Sequence, residues 1–275
     1  MKETECSNDG NLTGCSMPAS ADKNSKFETR NSKFRPKAGS ISVFFPCYNE
    51  QDNVACTVEQ ALSVLQQQSC DFEIIIVDDG STDATGQIAD EIASRDSRVK
   101  VVHHRTNLGY GAALQSGFKA ATKELVFYTD GDGQFDINEL PPLLPVMDKA
   151  DIISCYRLNR QDPLLRKINA WCWTKLVCWL FGMKVRDIDC AFKLYKREIF
   201  DNIKPSSCGA LIDAEILAKA FHKGYSITQK GVHHYPRIAG SQTGANWRVI
   251  LRAFKELFKL YRQIKKENPG TNTNS

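Results

Sequence analysis

Short apolar runs punctuate the first half of this chain. Ile41–Phe45 predicts a buried strand and Phe72–Val77 a second continuous apolar one, and Val99–His103 and Leu125–Tyr128 predict a third and a fourth strand. Pro46 ends the first of them. Between the runs, 53–67, 84–95 and 109–121 carry apolar positions at helical spacing, as Val54, Val58, Ala61, Leu62 and Leu65 do in the first. Asp78-Asp79-Gly80-Ser81-Thr82-Asp83 stops the second strand and can cap the helix that follows. Strand and helix alternating at such short intervals predict an α/β fold: a mostly parallel sheet with helices on both faces. Further on, Ile152–Cys155 and Ser226–Val232 predict strands, and Leu164–Phe181, Ile212–His222 and Trp247–Arg262 predict helices. Residues 1–39 are polar and aperiodic, which predicts a disordered tail. The expected organisation is that tail, a folded domain over 40–240, a basic amphipathic helix over 245–266 and a polar end over 267–275.

Composition narrows this picture little. With 275 residues, 42% hydrophobic and 25% charged, the chain is ordinary for a globular protein and unlike collagen or a coiled-coil rod. It has no apolar run long enough to span a bilayer, and its first 39 residues hold no apolar signal segment. The expected location is therefore cytoplasmic. Ten cysteines without a CxxC pair predict buried thiols rather than a zinc site or disulfide scaffold. The formal charge of +4 is too small to imply nucleic acid. Its distribution says more, because 156–186 and 245–266 each hold seven Lys/Arg and one acid.

Chemistry collects where the predicted strands stop. In an open parallel sheet, ligands bind beyond the carboxyl ends of the strands. Here those ends read Pro46-Cys47-Tyr48-Asn49-Glu50, then Asp78-Asp79-Gly80-Ser81, then Asp130-Gly131-Asp132-Gly133-Gln134. Carboxylates gathered at one rim repel one another and need donors or a cation. Asp130, Asp132 and Gln134 offer hard oxygen ligands, suited to Mg²⁺ or Mn²⁺ rather than zinc. Such a cation keeps several waters and bridges to substrate phosphate. Gly131 and Gly133 let the backbone turn and come close to a ligand.

In combination and order, these segments resemble the family 2 glycosyltransferases of GT-A fold. Within that family they are most similar to the polyprenyl-phosphate sugar transferases, the group that includes dolichyl-phosphate mannose synthase. The matching residues are Val43–Glu50, Val77–Asp83, Asn107-Leu108-Gly109-Tyr110-Gly111-Ala112-Ala113 and Asp130–Gln134, and the resemblance covers about 40–240. It implies that Pro46, Tyr48 and Glu50 line a nucleotide pocket. Asp79 would contact base or ribose, Asp78 would join the nucleotide-binding set, and Asn107 and Gly109 would form a turn beside the nucleotide sugar. Asp130, Asp132 and Gln134 would hold metal and diphosphate. Asp187-Ile-Asp-Cys-Ala-Phe-Lys193 resembles a D-x-x-x-G-F-R segment and departs from it at Ala191 and Lys193. Asp213 and Glu215 match a downstream acidic segment. His234-Tyr-Pro-Arg237 resembles the start of the family's basic loop that closes near the diphosphate.

The implied reaction is inverting displacement at the anomeric carbon of a GDP- or UDP-linked sugar, mannose or glucose by resemblance. Asp132, Asp187 and Arg237 are the expected catalytic residues, with Arg157 and Lys193 among the substrate-binding ones. A lipid phosphate is already ionised at pH 7 and needs cations rather than a base. The basic stretch 156–186, with Trp171, Trp173 and Trp179 among its cations, suits that acceptor or a membrane surface. The helix 247–262 carries Trp247, Ile250, Leu251, Phe254, Leu257, Phe258 and Tyr261 on one face, with a basic stripe beside it. That pattern suits a bilayer interface, so the enzyme is expected to sit peripherally on the cytoplasmic face. One rival is a glycan or lipid hydroxyl acceptor with Asp187, Asp213 or Glu215 as base. Others are a sugar nucleotidyltransferase and a non-catalytic nucleotide-sugar-binding protein. Oligomeric state is left open.

Overall fold

The computed structural model of this chain describes residues 39–68, 70–158, 160, 164–237 and 247–267. The expectations for 1–38 and 268–275 lie outside these. The order is β1 (Ser40–Cys47), α1 (Val54–Gln66), β2 (Asp71–Asp78), α2 (Thr85–Arg95), β3 (Val99–His103), α3 (Tyr110–Ala120) and β4 (Leu125–Thr129). Two 3₁₀ segments lead to β5 (Ile152–Leu158) and α4 (Leu164–Phe181). Then come β6 (Phe192–Lys196), α5 (Ile199–Asn202), α6 (Ile212–His222), β7 (Ile227–His233) and α7 (Trp247–Glu267).

The seven strands form one sheet in the order β3-β2-β1-β4-β6-β5-β7. The first four run parallel, β6 is antiparallel to both its neighbours, and β5 and β7 are parallel to each other. β2, β1 and β4 are adjacent, so their three decorated ends lie side by side, with Cys47 level with Asp78. These three strands are buried on both faces, which is why they read as continuous apolar runs, whereas β3 and β7 at the sheet edges are partly exposed. Phe44, Phe118, Tyr128, Tyr195 and Phe200 form one aromatic cluster linking β1, α3, β4, β6 and α5.

Three details differ from the sequence pattern. β1 continues through Pro46 to Cys47. Its pairing with β4 stops at Phe44 opposite Tyr128, so no ladder on that side asks Pro46 for an N–H. β6 had no sequence signal, because Phe192-Lys193-Leu194-Tyr195-Lys196 places two lysines in five residues. The strand is nevertheless buried from Phe192 to Tyr195. Finally, the apolar face of α7 is divided. Leu257, Leu260 and Ile264 are buried in the core, while Phe254 and Phe258 stay exposed. Packing against the domain claims part of the face expected to meet a bilayer.

At the opposite end of the sheet, Glu73 is buried and accepts hydrogen bonds from Ser42, Thr122 and Lys100. Burial alone would raise its pKa, but these donors prevail and lower it from 4.5 to about 2. The folded value lies below the unfolded one. The contribution to stability is therefore present above about pH 4.5 and lost as pH falls towards 2. Glu73→Gln is expected to flatten the acid limb of a stability–pH curve in that window; an unchanged limb would refute the assignment.

Candidate active site

The first two clusters are laced together by short polar side chains. Asn49 adopts a left-handed backbone (φ 55°). Its amide N–H donates to Ser81 Oγ at 3.0 Å, and its side-chain oxygen accepts the Thr82 N–H at 2.8 Å. The Glu50 N–H donates to Thr85 Oγ1 at 2.7 Å. Asn tolerates this conformation better than most residues, and Tyr48, just before it, is exposed. Asp78 accepts the Ser81 N–H and contacts His103 Nδ1 at 3.0 Å; His103 Nε2 meets Asp90 at 2.9 Å. These carboxylates, Asp90 foremost, raise the His103 pKa.

Asp79 is buried and already engaged. Its two oxygens accept the Leu108 and Gly109 N–H groups at 2.9 Å, and His104 Nδ1 lies 2.6 Å from Oδ1. His104 Nε2 in turn meets Ser116 Oγ at 2.8 Å. Asp79 thus holds the turn carrying Asn107 and Gly109. An ionised Asp79 fixes the His104 tautomer: Nδ1–H donates to the carboxylate, and in the neutral ring Nε2 accepts from the Ser116 hydroxyl.

Beyond β4, Asp132 lies near Glu50, and Asp130 lies near Asp132 and Tyr110. A Cβ on Gly131 would lie 2.6 Å from Cys47 Sγ, and Gly133 has φ 70°, so this turn requires glycine at both places. Burial, then repulsion from Asp132, pushes Asp130 up to about 8, with a hydrogen bond from Tyr110 acting against them. Burial also raises Asp132, opposed by the Gln134 N–H and by Arg237. The segment after β7 is clipped to this turn by a reciprocal pair. The Tyr235 N–H donates to the Gln134 carbonyl at 2.9 Å, and Gln134 Nε2 donates to the Tyr235 carbonyl at 3.0 Å. That clip delivers Arg237, which pairs with Glu50 and approaches Asp132 Oδ2 at 3.7 Å. Glu50 is braced from the other side by Asn53 Nδ2 at 2.7 Å.

The donor set fits a hard divalent cation. Asp132 raises the pKa of Asp130 and Glu50 raises that of Asp132, so both carboxylates would gain from a shared positive charge. Among the described residues no group of three or more His, Cys, Asp or Glu is placed to hold a metal ion unaided. The described cysteines are all free thiols.

The remaining predicted residues form two further groups. Arg157 grips Asp187 through Nε at 2.7 Å and Nη2 at 2.8 Å, both side chains being largely buried. Burial opposes both charges, but the paired hydrogen bonds outweigh it, lowering Asp187 and raising Arg157. Lys193 and Asp213 lie close enough to Asp130 to act on its charge, whereas Glu215 is engaged with the segment at 206–207. Lys193 is fully buried and donates to Asp213 at 2.8 Å, to the Cys190 carbonyl at 2.6 Å and to the Tyr128 hydroxyl at 3.1 Å. Tyr128 also donates to Asp213. Glu215 accepts from the Ser206 and Ser207 amides and from Lys219 at 2.6 Å. Sequence reasoning passed over His104, and it placed Tyr110 and Asp189 within motifs without giving either a role. Burial and repulsion from Asp213 and Asp187 raise Asp189 to about 6.

The family model described as Glycosyl transferase family 2 matches residues 42–204. Dodecaprenyl-phosphate galacturonate synthase of Rhizobium johnstonii is 33% identical over 168 residues, covering 60% of this chain and 50% of that protein. Undecaprenyl-phosphate 4-deoxy-4-formamido-L-arabinose transferase of Proteus mirabilis is 30% identical over 167 residues, covering 60% and 51%. The chain spans about half the length of the curated relatives it matches. Among solved structures, glucosyl-3-phosphoglycerate synthase from Mycobacterium tuberculosis in complex with UDP superposes with a TM-score of 0.61 at 20% identity, covering 81% of this chain and 80% of that one. The same enzyme with Mn²⁺, UDP-glucose and phosphoglyceric acid gives 0.57 at 21% identity, covering 82% and 77%. At such identity the likeness shows a shared fold.

Proposed function

This chain belongs to glycosyl transferase family 2 and has the GT-A fold, and from that premise we propose that it transfers a sugar from a nucleotide-diphospho-sugar to a polyprenyl phosphate. One observation carries the proposal: β4 runs into the carboxylates Asp130 and Asp132, and Arg237 is held between Asp132 and Glu50. Two relatives are named as polyprenyl-phosphate sugar transferases, which favours a lipid phosphate over a hydroxyl. Their names specify galacturonate and a formamido-arabinose, so a donor panel should include these beside mannose and glucose, on UDP and on GDP.

Each group has a task in this reading. Tyr48, Glu50 and the turn at 107–109 bind the nucleotide, with Asp78 and Asp79 holding the loops that shape its pocket. A Mg²⁺ or Mn²⁺ held by Asp130 and Asp132, with Gln134 beside them, would supply Lewis-acid stabilisation of the departing diphosphate. Arg237 is the protein's own cation for that charge and would exchange Glu50 for phosphate oxygens. The acceptor phosphate attacks as an anion and needs no base, so Asp187 serves to aim Arg157 at it. Lys193, Asp213 and Glu215 act as positioning groups. α7 adds a basic stripe for a membrane surface; among the described residues no helix is long and apolar enough to cross one.

His104→Ala removes the donor to Asp79 and should loosen the turn. Loss of one charge-assisted hydrogen bond, about 1.5–3 kcal/mol, predicts a donor KM raised roughly ten- to a hundredfold, with a smaller change in kcat. Steady-state kinetics with varied donor measures this, and a fall in kcat alone would contradict it. The acceptor is tested by offering a polyprenyl phosphate and its dephosphorylated alcohol side by side. Transfer to the phosphate only is expected; transfer to the alcohol would establish the hydroxyl-acceptor rival.

A further inference from the structure

β6 runs antiparallel to β4, and their pairing ends with Phe192 opposite Thr129. The turn at 187–191 therefore leaves the sheet beside the turn at 130–134, from the same end. In it Ile188 and Cys190 are buried in the core, while Asp189 between them is only partly covered. The neighbouring carboxylates have donors: Arg157 for Asp187, Lys193 and Tyr128 for Asp213, Tyr110 for Asp130. Asp189 has neither a hydrogen bond nor an ion pair among the described residues. The buried polar atoms sealed in without a partner are those of Thr129, Ser154, Tyr195 and His234. Asp189 is not one of them, so its carboxylate looks into open space. Burial, then the charges of Asp213 and Asp187, raise its pKa against the pull of Lys193 and Arg157. It is a carboxylate in need of donors.

Its flanks say what those donors are. Lys193 and Asp213 act on both Asp189 and Asp130, which ties Asp189 to the turn after β4. The Arg157–Asp187 pair also acts on it, from the other side of the reaction. In the proposed function the first group holds the donor diphosphate and the second meets the acceptor phosphate. The transferred sugar has to lie between them, because its anomeric carbon passes from one phosphate to the other. We propose that Asp189 sets sugar specificity: its carboxylate accepts hydrogen bonds from hydroxyls of the transferred sugar and repels a sugar that carries a carboxylate of its own. The inference rests on the proposed function and narrows its donor to a neutral hexose. Hydroxyls supply charge-assisted hydrogen bonds to an acceptor that has none. A uronate would instead bring a further negative charge to Asp187, Asp189 and Asp213. Two carboxylates about 6 Å apart at an effective dielectric of about 20 disfavour each other by roughly a hundredfold in affinity.

The test is donor binding to the full chain, measured by titration calorimetry with Mg²⁺ and without acceptor. Three donor pairs differ only in a hydroxymethyl group against a carboxylate: UDP-glucose and UDP-glucuronate, UDP-galactose and UDP-galacturonate, GDP-mannose and GDP-mannuronate. In the pair that binds most tightly, the wild type should favour the neutral member about a hundredfold. Asp189→Asn removes the charge and keeps the shape, and should cut that preference at least about tenfold, chiefly by tighter uronate binding. Asp189→Ala should also narrow the preference and weaken the neutral donor about tenfold. Either variant serves if the other fails to fold, as judged by circular dichroism. Equal binding of both members by the wild type would overturn the inference. So would an unchanged preference in a folded variant, because a merely structural Asp189 weakens both members alike. Transfer is scored separately. A wild type that shows the neutral preference but transfers no sugar to a polyprenyl phosphate would support the role of Asp189 and count against the proposed reaction.

Discussion

Asp132→Ala is expected to lower sugar transfer roughly a thousandfold, the scale of losing a principal electrostatic stabiliser of a transition state. Asp132 is where three features meet: the Asp130 carboxylate, the Arg237 guanidinium and the Glu50 side chain. Removing it deletes one of the two carboxylates proposed to hold the cation and releases Arg237 from one of its anchors. The fold should not suffer. Burial and the neighbouring Asp132 hold Asp130 near 8, so the truncation relieves repulsion, and the metal-free variant should be at least as stable as the wild type. Thermal unfolding and turnover measured together distinguish this from simple misfolding. Unchanged turnover with unchanged metal dependence would refute the site.

Lys193→Met should have the largest effect on stability. Lys193 is the buried cation of a group in which Asp213 also receives the Tyr128 hydroxyl. Loss of the ammonium leaves a buried carboxylate without its counter-charge, a defect of about 3–5 kcal/mol. Lys193→Met/Asp213→Leu should recover much of that loss, because a buried ion pair replaced by apolar side chains of similar volume is often near neutral. Urea denaturation of both variants measures the difference. A single variant within about 1 kcal/mol of wild type would show that the pair does not hold the region together.

The contrast between these two residues explains what was legible in the sequence. Asp132 announces itself, since an apolar strand ends abruptly in carboxylates and glycines, and sheet order then sets three such ends in a row. Lys193 gives no such signal. A lysine reads as solvent-facing, and its partner Asp213 lies 20 residues downstream; only the antiparallel insertion of β6 beside β4 makes the burial possible. The same holds for the His104 link to Asp79 and the Gln134–Tyr235 clip, which join residues 25 and 101 positions apart. Periodicity reports local structure and cannot register contacts made by topology. α7 shows the complementary ambiguity. An amphipathic face fits a bilayer or a protein core equally well, and here the core takes Leu257, Leu260 and Ile264.

The most direct test of the central claim is an incubation of purified protein with radiolabelled UDP- and GDP-sugars, Mg²⁺ or Mn²⁺ and a polyprenyl phosphate, followed by extraction into organic solvent. The account predicts label in the organic phase for at least one donor, dependent on both the lipid phosphate and the divalent cation. Label that stays in water with every donor, or that reaches the lipid without any divalent cation, would contradict it.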